Sequence, residues 1–396
     1  MVDDRPRLVP LEPNKVELPG GGAGIALRDP LGVLEGMAVV TPAAYWILAH
    51  LDGTRTAADV VAALAAERQR IALGDVERLV AQARAAGLVH GPEYEARRAA
   101  AIARFRSRPR APACAGGSYP EDPRELDVML AGFFAHAEGP GELPAGGRGK
   151  GLELLVAPHI DFHRGGASYA HAYGALAGND ADLYVVFGTA HASPRRLFTL
   201  TRQDFETPLG RVEVDRALAD GLVAALGEDE LLGEELVHSG EHSCEFQVVW
   251  LRWLLGDRPF RILPVLCSSI SHLPDPAART APFLEALARA VSGRKVCYVA
   301  GADLAHVGPM YGDEGPVAPA TLAAMAREDR RTLEFLERGD PEGFHRDATL
   351  DDERRRLCGV APIYAAMRAS GRGARLLHYG QWTDGVDSVS FAAAAG

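Results

Sequence analysis

The sequence has no long hydrophobic run. None of its apolar stretches approaches the ~20 residues that a membrane-spanning helix needs. The opening residues, MVDDRPRLVPLEP, also lack the apolar core of a secretory signal peptide. These two absences predict a cytoplasmic protein without a membrane partner.

Cysteine is also scarce. The 396 residues contain five cysteines, an odd number without the spacing of a disulfide framework. In a reducing compartment we expect them to be thiols. Cys267 and Cys297 lie inside strand-like runs and are predicted to be small core residues, whereas Cys244 is assigned no role.

An excess of positive charge is absent as well. The 42 basic and 53 acidic residues give a net charge of −11, which argues against a general nucleic-acid binder. One basic run, residues 97–110, could form a local basic face, but it is predicted to be a solvated linker helix. The composition is that of a globular protein, and the length exceeds the ~150 residues of a typical domain.

Changes in pattern along the chain predict four segments. Residues 1–24 are rich in proline and glycine and are predicted to form an irregular lead-in. A compact unit spans 25–95, a charged linker 96–113, and a larger domain 114–396. In the compact unit, Thr41 and Thr56 are placed to cap short helices, and a third helix stops at Gly87. Three helices with terminal strands predict a winged-helix-like module.

The larger domain alternates strand-like and helix-like segments. This alternation predicts an α/β fold with a central, mostly parallel sheet and helices on both faces. The hairpin-like FETPLGRVEVD and two final strands add antiparallel pairs, so the sheet should be mixed.

Polar residues cluster where three apolar runs end. The segments are APHIDFHRGG, VVFGTAH and VAGADLAH, and a fourth, LCGVAPIYAAM, adds a thiol. Ligands of open α/β sheets bind beyond the carboxyl ends of strands, so one cleft is expected. Imidazoles, a carboxylate and a thiolate together are typical of a metal site. The candidates are His159, Asp161, His163, His191, Asp303, His306 and Cys358.

Each candidate also has a structural alternative. A lone histidine would be a loop residue, but His191 repeats the strand-then-histidine arrangement of His159, which favours a ligand. Cys358 is predicted to begin a helix whose dipole lowers its pKa; the alternative is a buried structural cysteine. Asp303 could orient His306 as a general base if the segment is helical, or it could be a helix N-cap.

The segment EHSCEFQVVWLRWLL predicts an amphipathic helix over 241–255. His242 is at its open end, where it could point into the cleft or cap the helix. Glu241 and Glu245 are spaced four apart and could be first-turn acids that complement the helix dipole.

An ordered series of motifs resembles the Memo family, a component of the AmmeMemoRadiSam system. The series is CAGGSYPEDPREL, PHIDFHRGGASYAHAY, GTAH, FETPLGRVEVD, EHSCEFQ, GADLAHVGPMYG, CGVAPI and DSVSFAAAA, over about residues 114–396. Three motifs depart from the family pattern. PHIDFHRGG stands where PHAGY is usual, GTAH replaces GPSH, and GADLAH replaces SSDLSH, which makes Asp161 and His163 additional polar candidates.

The resemblance implies a fold like that of class III extradiol dioxygenases, which hold non-haem iron(II) with two histidines and a glutamate. In the Memo family a cysteine replaces that glutamate. The implied metal ligands are His159, His191 and Cys358, with His306 as a catalytic base, Asp303 in the same pocket and His242 close by. Iron(II) is the expected metal, with copper or zinc as alternatives.

The segment TPAAYWILAHLDGTRTAADVVAAL resembles the PqqD-like fold, which implies that the N-terminal module binds a peptide. Three functions follow from the two resemblances. The chain could be a metal-dependent redox component that works with a radical SAM enzyme and an AMMECR-type protein. It could instead be a peptide-binding scaffold with a vestigial pocket, or a zinc hydrolase, although no HExxH motif is present.

Overall fold

A computed structural model of the chain describes residues 4–18, 21–34, 36–144, 147–350 and 352–396. The chain divides into two compact units, Met1–Arg108 and Pro109–Gly396. Among the described residues, no helix has both the length and the apolar character needed to cross a membrane.

The first unit combines a small antiparallel sheet with four helices in its described part. The strands occur in the order β1-β2-β3. They are Glu12–Glu17 (β1), Ala23–Arg28 (β2) and Ala38–Val40 (β3). The helices are Pro42–Ala49 (α1), Ala57–Ala66 (α2), Leu73–Ala86 (α3) and Pro92–Arg106 (α4).

The predicted caps explain where these helices begin and end. The Thr41 hydroxyl accepts the N–H of Ala44, and Thr56 forms a capping box with Asp59. Gly87 ends α3 in the left-handed conformation, with φ of 78°. Leu48, Val60, Leu64 and Val76 belong to the buried core of this unit. The winged-helix-like description stays a prediction.

The predicted irregular lead-in is partly wrong. Strand β1 lies inside residues 1–24 and pairs with β2, with Glu12 opposite Arg28. Its side chains are almost all exposed, so no apolar alternation marks it in the sequence. Residues 1–3, 19 and 20 of the lead-in lie outside the described residues.

The second unit is built on an eight-stranded mixed sheet. Its strands are Leu154–Ala157 (β4), Leu183–Thr189 (β5), Phe198–Leu200 (β6), Arg261–Cys267 (β7), Val296–Gly301 (β8), Asp303–Val307 (β9), Arg375–Thr383 (β10) and Ser388–Ala395 (β11). Their order is β10-β11-β4-β8-β5-β7-β6, and β9 pairs with β11. Strands β4, β8, β5 and β7 are parallel neighbours, and the outer pairs are antiparallel.

Helices cover both faces of this sheet, which confirms the predicted fold class. They are Pro123–Phe134 (α5), Phe162–Leu176 (α6), Arg216–Leu226 (α7), Glu228–Leu232 (α8), His242–Leu255 (α9), Pro276–Ala290 (α10), Pro319–Arg338 (α11), Pro341–Thr349 (α12), Asp352–Arg355 (α13) and Val360–Ser370 (α14). Two 3-10 segments are Glu235–Ser239 and Pro309–Tyr311. Alternate β5 residues Leu183, Val185 and Phe187 join a large core with α14. Helix α9 packs near Val186, where the Cys244 thiol contacts the Val186 carbonyl.

Near the cleft, the structure rules out one alternative that the sequence left open and overturns one prediction. Asp303 is not a helix N-cap, because residues 303–307 form β9 and pair with the C-terminal strand β11. Cys358 does not begin a helix; it precedes Gly359, which is the N-cap of α14. In the first case a distant strand supplies backbone partners that the local sequence does not reveal.

Candidate metal centre

The site lies at the carboxyl ends of three adjacent parallel strands. His159 follows β4 by two residues, His191 follows β5 by two, and Asp303 follows β8 by two. Because β8 lies between β4 and β5, the three strand ends meet at one edge of the sheet. The sequence therefore correctly placed these side chains in one region.

The beginning of α9 enters the same region because two glycines let it approach the sheet. A Cβ on Gly188 would lie 2.5 Å from the Ser243 hydroxyl, and one on Gly301 would lie 2.5 Å from the Ser243 carbonyl oxygen. Only glycine permits such a close approach. Glu241 caps α9 by accepting the Ser243 N–H, and His242 is the first helical residue.

Three histidines form a compact group at this point. His159, His191 and His242 each offer a ring nitrogen, and these nitrogens all lie within 4.8 Å of one another. His159 is at the base of the group with 2% of its side chain exposed. His191 and His242 are more open, with 40% and 34% exposed, so the group is reachable from solvent.

Hydrogen bonds determine which ring nitrogen of His159 and of His191 is free to bind an ion. The His159 Nδ1–H donates to the Gly301 carbonyl oxygen at 2.9 Å, so its Nε2 carries the lone pair of the neutral ring. The His191 Nδ1–H donates to the Glu241 carboxylate at 3.0 Å. Carboxylates and carbonyls behind an imidazole are the usual supports of a metal-binding histidine.

Cys358 lies beside His159 but is not a member of the three-histidine group. Its Sγ lies 3.2 Å from the His159 Nε2. Burial, reinforced by the charge of Asp303, raises the pKa of the Cys358 thiol well above its usual range. The predicted lowering of the Cys358 pKa is therefore wrong, because burial raises it. A bound cation would reverse this preference by stabilising the thiolate.

Asp303 contacts both the backbone and the ring of His159. Its Oδ1 accepts the His159 backbone N–H at 2.9 Å, and its Oδ2 lies 3.7 Å from the His159 Nε2. Burial raises the pKa of Asp303 to about 7, against the effect of N–H groups donated by His159 and Ile160. The carboxyl group can thus be protonated or ionised near neutral pH, which suits proton transfer.

His306 lies on β9, outside the three-histidine group. Its Nδ1–H donates to the Leu304 carbonyl oxygen at 3.1 Å, and its ring packs edge-on to Tyr311 with centroids 5.0 Å apart. Burial lowers the pKa of His306 to about 4, and the neighbouring His191 adds to this shift. The ring is therefore neutral at physiological pH and can accept a proton.

Glu241 and the neighbouring histidines shift one another's pKa values. Burial alone would raise the pKa of Glu241, but the hydrogen bond from His191 and the nearby imidazoles hold it well below its usual range. Loss of solvent lowers the pKa of His242 and, with the neighbouring rings, holds the pKa of His159 well below its usual range. Neutral imidazoles are the form that binds metal ions.

The two additional polar candidates do not join the three-histidine group. The Asp161 carboxylate accepts a hydrogen bond from Arg164 at 2.5 Å, and the Arg164 guanidinium stacks over Trp382 at 4.5 Å. His163 is exposed in the first turn of α6.

The sequence did not indicate a buried charge cluster around Glu245 of α9. Glu245 pairs with Arg110 and accepts the Tyr119 hydroxyl and two backbone N–H groups. Arg110 also donates to the Glu241 carbonyl oxygen at 2.8 Å. Glu241 and Glu245 therefore differ in role, although the sequence allowed both to be first-turn acids, and their spacing does not indicate the pairing with Arg110.

The donor chemistry fits a transition metal. Three imidazoles and a nearby thiol are the ligand types that bind zinc, copper and non-haem iron. The three-histidine group could hold such an ion, with Cys358 as a further donor beside His159.

Comparison with known proteins bears on both units. The family model "Memo-like protein" matches residues 110–395, and the model "Coenzyme PQQ synthesis protein D (PqqD)" matches residues 33–89. The second match supports a PqqD-like N-terminal module, as the sequence predicted.

Similar proteins are MEMO1 family proteins of archaea. The one from Methanothermobacter thermautotrophicus is 31% identical over 265 residues, which cover 66% of this chain and 87% of that protein. The one from Methanopyrus kandleri is also 31% identical over 265 residues, covering 66% and 86%. A third, from Methanosarcina barkeri, is 31% identical over 275 residues, covering 68% and 91%.

Proposed function

Because the chain belongs to the Memo-like protein family, we propose that it is a metal-dependent redox component that uses non-haem iron and works with a radical SAM partner and an AMMECR-type protein. The observation that carries this proposal is the convergence of His159, His191 and His242 within 4.8 Å at the open edge of the sheet. The five free thiols suit the reducing cytoplasm, where we place the reaction.

The ion would be held by His159, His191 and Cys358. The 3.2 Å between the Cys358 Sγ and the His159 Nε2 supports this set. Metal–sulfur and metal–nitrogen bonds of about 2.3 and 2.1 Å at a right angle would place the two atoms about 3.1 Å apart. Bound iron would supply a redox-active Lewis acid at this point.

The remaining pocket residues would handle protons. Asp303, with a pKa raised to about 7 by burial, can hold or release one next to His159. His306 is neutral and would act as the base, because the Leu304 carbonyl occupies its Nδ1 and leaves the other nitrogen to accept.

The N-terminal module would deliver a peptide substrate. Its β3 is an edge strand whose Val39 is exposed, and Met37 before it is exposed as well. An exposed edge can bind an extended peptide by adding it to the sheet. The PqqD-like match over residues 33–89 includes this strand.

A zinc hydrolase is the second candidate, because three histidines also form the ligand set of catalytic zinc sites. Copper would suit the same nitrogen and sulfur donors. A vestigial pocket on a peptide-binding scaffold is the non-catalytic alternative.

Anaerobic purification with metal analysis tests the proposal. We expect about one iron per chain, and a spectral change when nitric oxide is added to the iron-loaded protein. His159→Gln should lose the metal, whereas Cys297→Ser, at a buried thiol of β8, should keep it. Stoichiometric zinc without iron would favour the hydrolase. A protein that binds no metal and gains no stability from one would leave only the scaffold.

A further inference from the structure

We propose that His242 is a third nitrogen ligand of this metal and that Glu241 is the positioning residue that orients it. This inference rests on the proposed function, since it concerns the ion at the same site. It adds a donor to the set His159, His191 and Cys358 that the family resemblance implies, and it gives Glu241 a role beyond capping α9.

The separations of the three rings match those of imidazoles on one ion. With a metal–nitrogen bond of about 2.1 Å, two imidazoles at 90–110° have centroids about 4.5 to 5.3 Å apart. The His191 and His242 centroids are 4.6 Å apart, those of His159 and His191 5.0 Å, and those of His159 and His242 5.4 Å. The first two separations lie within this range and the third lies just above its upper end, so His242 is close to the position of a ligand.

Glu241 faces the Nδ1 atom of both His191 and His242. Its Oε1 lies 3.0 Å from the His191 Nδ1 and 3.3 Å from the His242 Nδ1. A carboxylate only accepts hydrogen bonds, so the His191 Nδ1 carries a proton, and the negative charge beside the His242 Nδ1 favours a proton there as well. The Nε2 of each ring is then the lone-pair nitrogen, as it is in His159.

The carboxylate itself is rigidly held. Glu241 is buried, and its side chain accepts the backbone N–H groups of Ser243 at 3.0 Å and His191 at 2.9 Å. The backbone carbonyl oxygen of Glu241 accepts a hydrogen bond from Arg110 at 2.8 Å. The Ser243 hydroxyl donates to the Thr189 carbonyl, which ties the first turn of α9 to β5.

The nearly parallel rings of His191 and His242 support their joint orientation by Glu241. The His191 and His242 planes differ by 16°, so one carboxylate can align both. Ligand histidines are commonly oriented by one acceptor each, and losing such an acceptor typically weakens metal binding roughly 10- to 100-fold. Here a single side chain serves two ligands, so its loss should disturb both.

Zinc-loaded, full-length protein allows the imidazoles to be counted by X-ray absorption. We expect three imidazoles and one sulfur in the unmodified protein, and two imidazoles and one sulfur in His242→Phe, which keeps a ring that cannot ligate. The zinc affinity of His242→Phe, measured by competition with a chelator, should fall by at least the roughly 10- to 100-fold that loss of an orienting group costs. The matched control His163→Phe, at an exposed histidine of α6, should change neither quantity.

Glu241→Gln keeps the shape of the side chain and tests the positioning role if His242→Phe fails to fold. Its affinity for zinc should fall by a similar factor, because an amide cannot accept N–H groups at both of its terminal atoms. Two imidazoles in the unmodified protein, or an unchanged count in His242→Phe, would overturn the inference while leaving a metal site. Absence of zinc binding altogether would instead refute the proposed function.

Discussion

His238 is a buried histidine with only one of its two ring nitrogens satisfied. Its Nε2–H donates to the Thr199 carbonyl oxygen at 2.9 Å. In the described part of the chain, no group forms a hydrogen bond with its Nδ1. Protonation would place a buried N–H without an acceptor, so burial lowers the pKa of His238 to about 4.

This residue should make the second unit sensitive to acid. The unfolded chain binds a proton at His238 near pH 6.5 and the folded chain only near pH 4, so stability is lost as the pH falls between these values. At about 1.4 kcal/mol per pKa unit, the loss is on the order of 3 kcal/mol. His238→Gln keeps the donor to Thr199 without titrating. It should reduce the pH dependence of urea unfolding over this range, while the lowered pKa values of His159, His242 and His306 leave the rest of it.

Both proteins should be compared with a chelator present, so that metal binding does not contribute. His272→Gln, at an exposed histidine, controls for the loss of a histidine as such. An acid-unfolding slope in His238→Gln equal to that of the unmodified protein would contradict this explanation of His238.

At the scale of elements, the start of α14 is pressed against the connection between β8 and β9. A Cβ on Gly359 would lie 2.3 Å from the Asp303 carbonyl oxygen and 2.7 Å from the Ala302 Cβ. The Gly359 N–H donates to that same carbonyl at 3.0 Å. The contact holds Cys358, the preceding residue, close to His159.

Gly359→Ala should therefore separate α14 from the strand ends. We expect the free energy of unfolding to fall by roughly 1–3 kcal/mol, as in other overpacked sites, and metal affinity to fall with it. Chemical denaturation and chelator competition measure the two effects. Gly132→Ala in α5, where an added Cβ meets nothing within 4 Å, should instead be neutral or stabilising by about 0.5–1 kcal/mol. Equal changes in the free energy of unfolding and in metal affinity for the two variants would show that the contact of Gly359 with Asp303 and Ala302 is unimportant.

The elements that the sequence predicted well are those with local signals. Thr41 and Thr56 cap their helices as expected, and Gly87 ends α3, because capping involves only neighbouring residues. The buried parallel strands were recognisable because both of their faces are apolar. The convergence of His159 and His191 followed from the general behaviour of parallel strand ends.

The elements that the sequence missed depend on distant partners. Strand β1 is a polar, exposed edge that forms by pairing with the backbone of β2. Asp303 lies in a strand because β11, more than 80 residues later, supplies its partner. The charge pair of Arg110 and Glu245 joins segments 135 residues apart, and no spacing rule could indicate it.

At the scale of the whole molecule, each unit has its own hydrophobic core. Leu64 is fully buried in the core of the first unit, and Val185 is fully buried in that of the second. All of the residues that we assign to the metal belong to the second unit, between Pro109 and Gly396. A ligand that binds only the folded form stabilises the unit that contains its site.

Metal should therefore shift one of two thermal transitions. In calorimetry of the full chain, zinc or iron at about 100 times its Kd should stabilise the second unit by about 2.7 kcal/mol. That corresponds to a rise in its Tm on the order of 5 °C. Leu64→Ala, which should cost the first unit about 2–5 kcal/mol, identifies the other transition and should leave the metal response intact. A metal-induced shift of the transition that Leu64→Ala lowers would place the bound ion outside the three-histidine group.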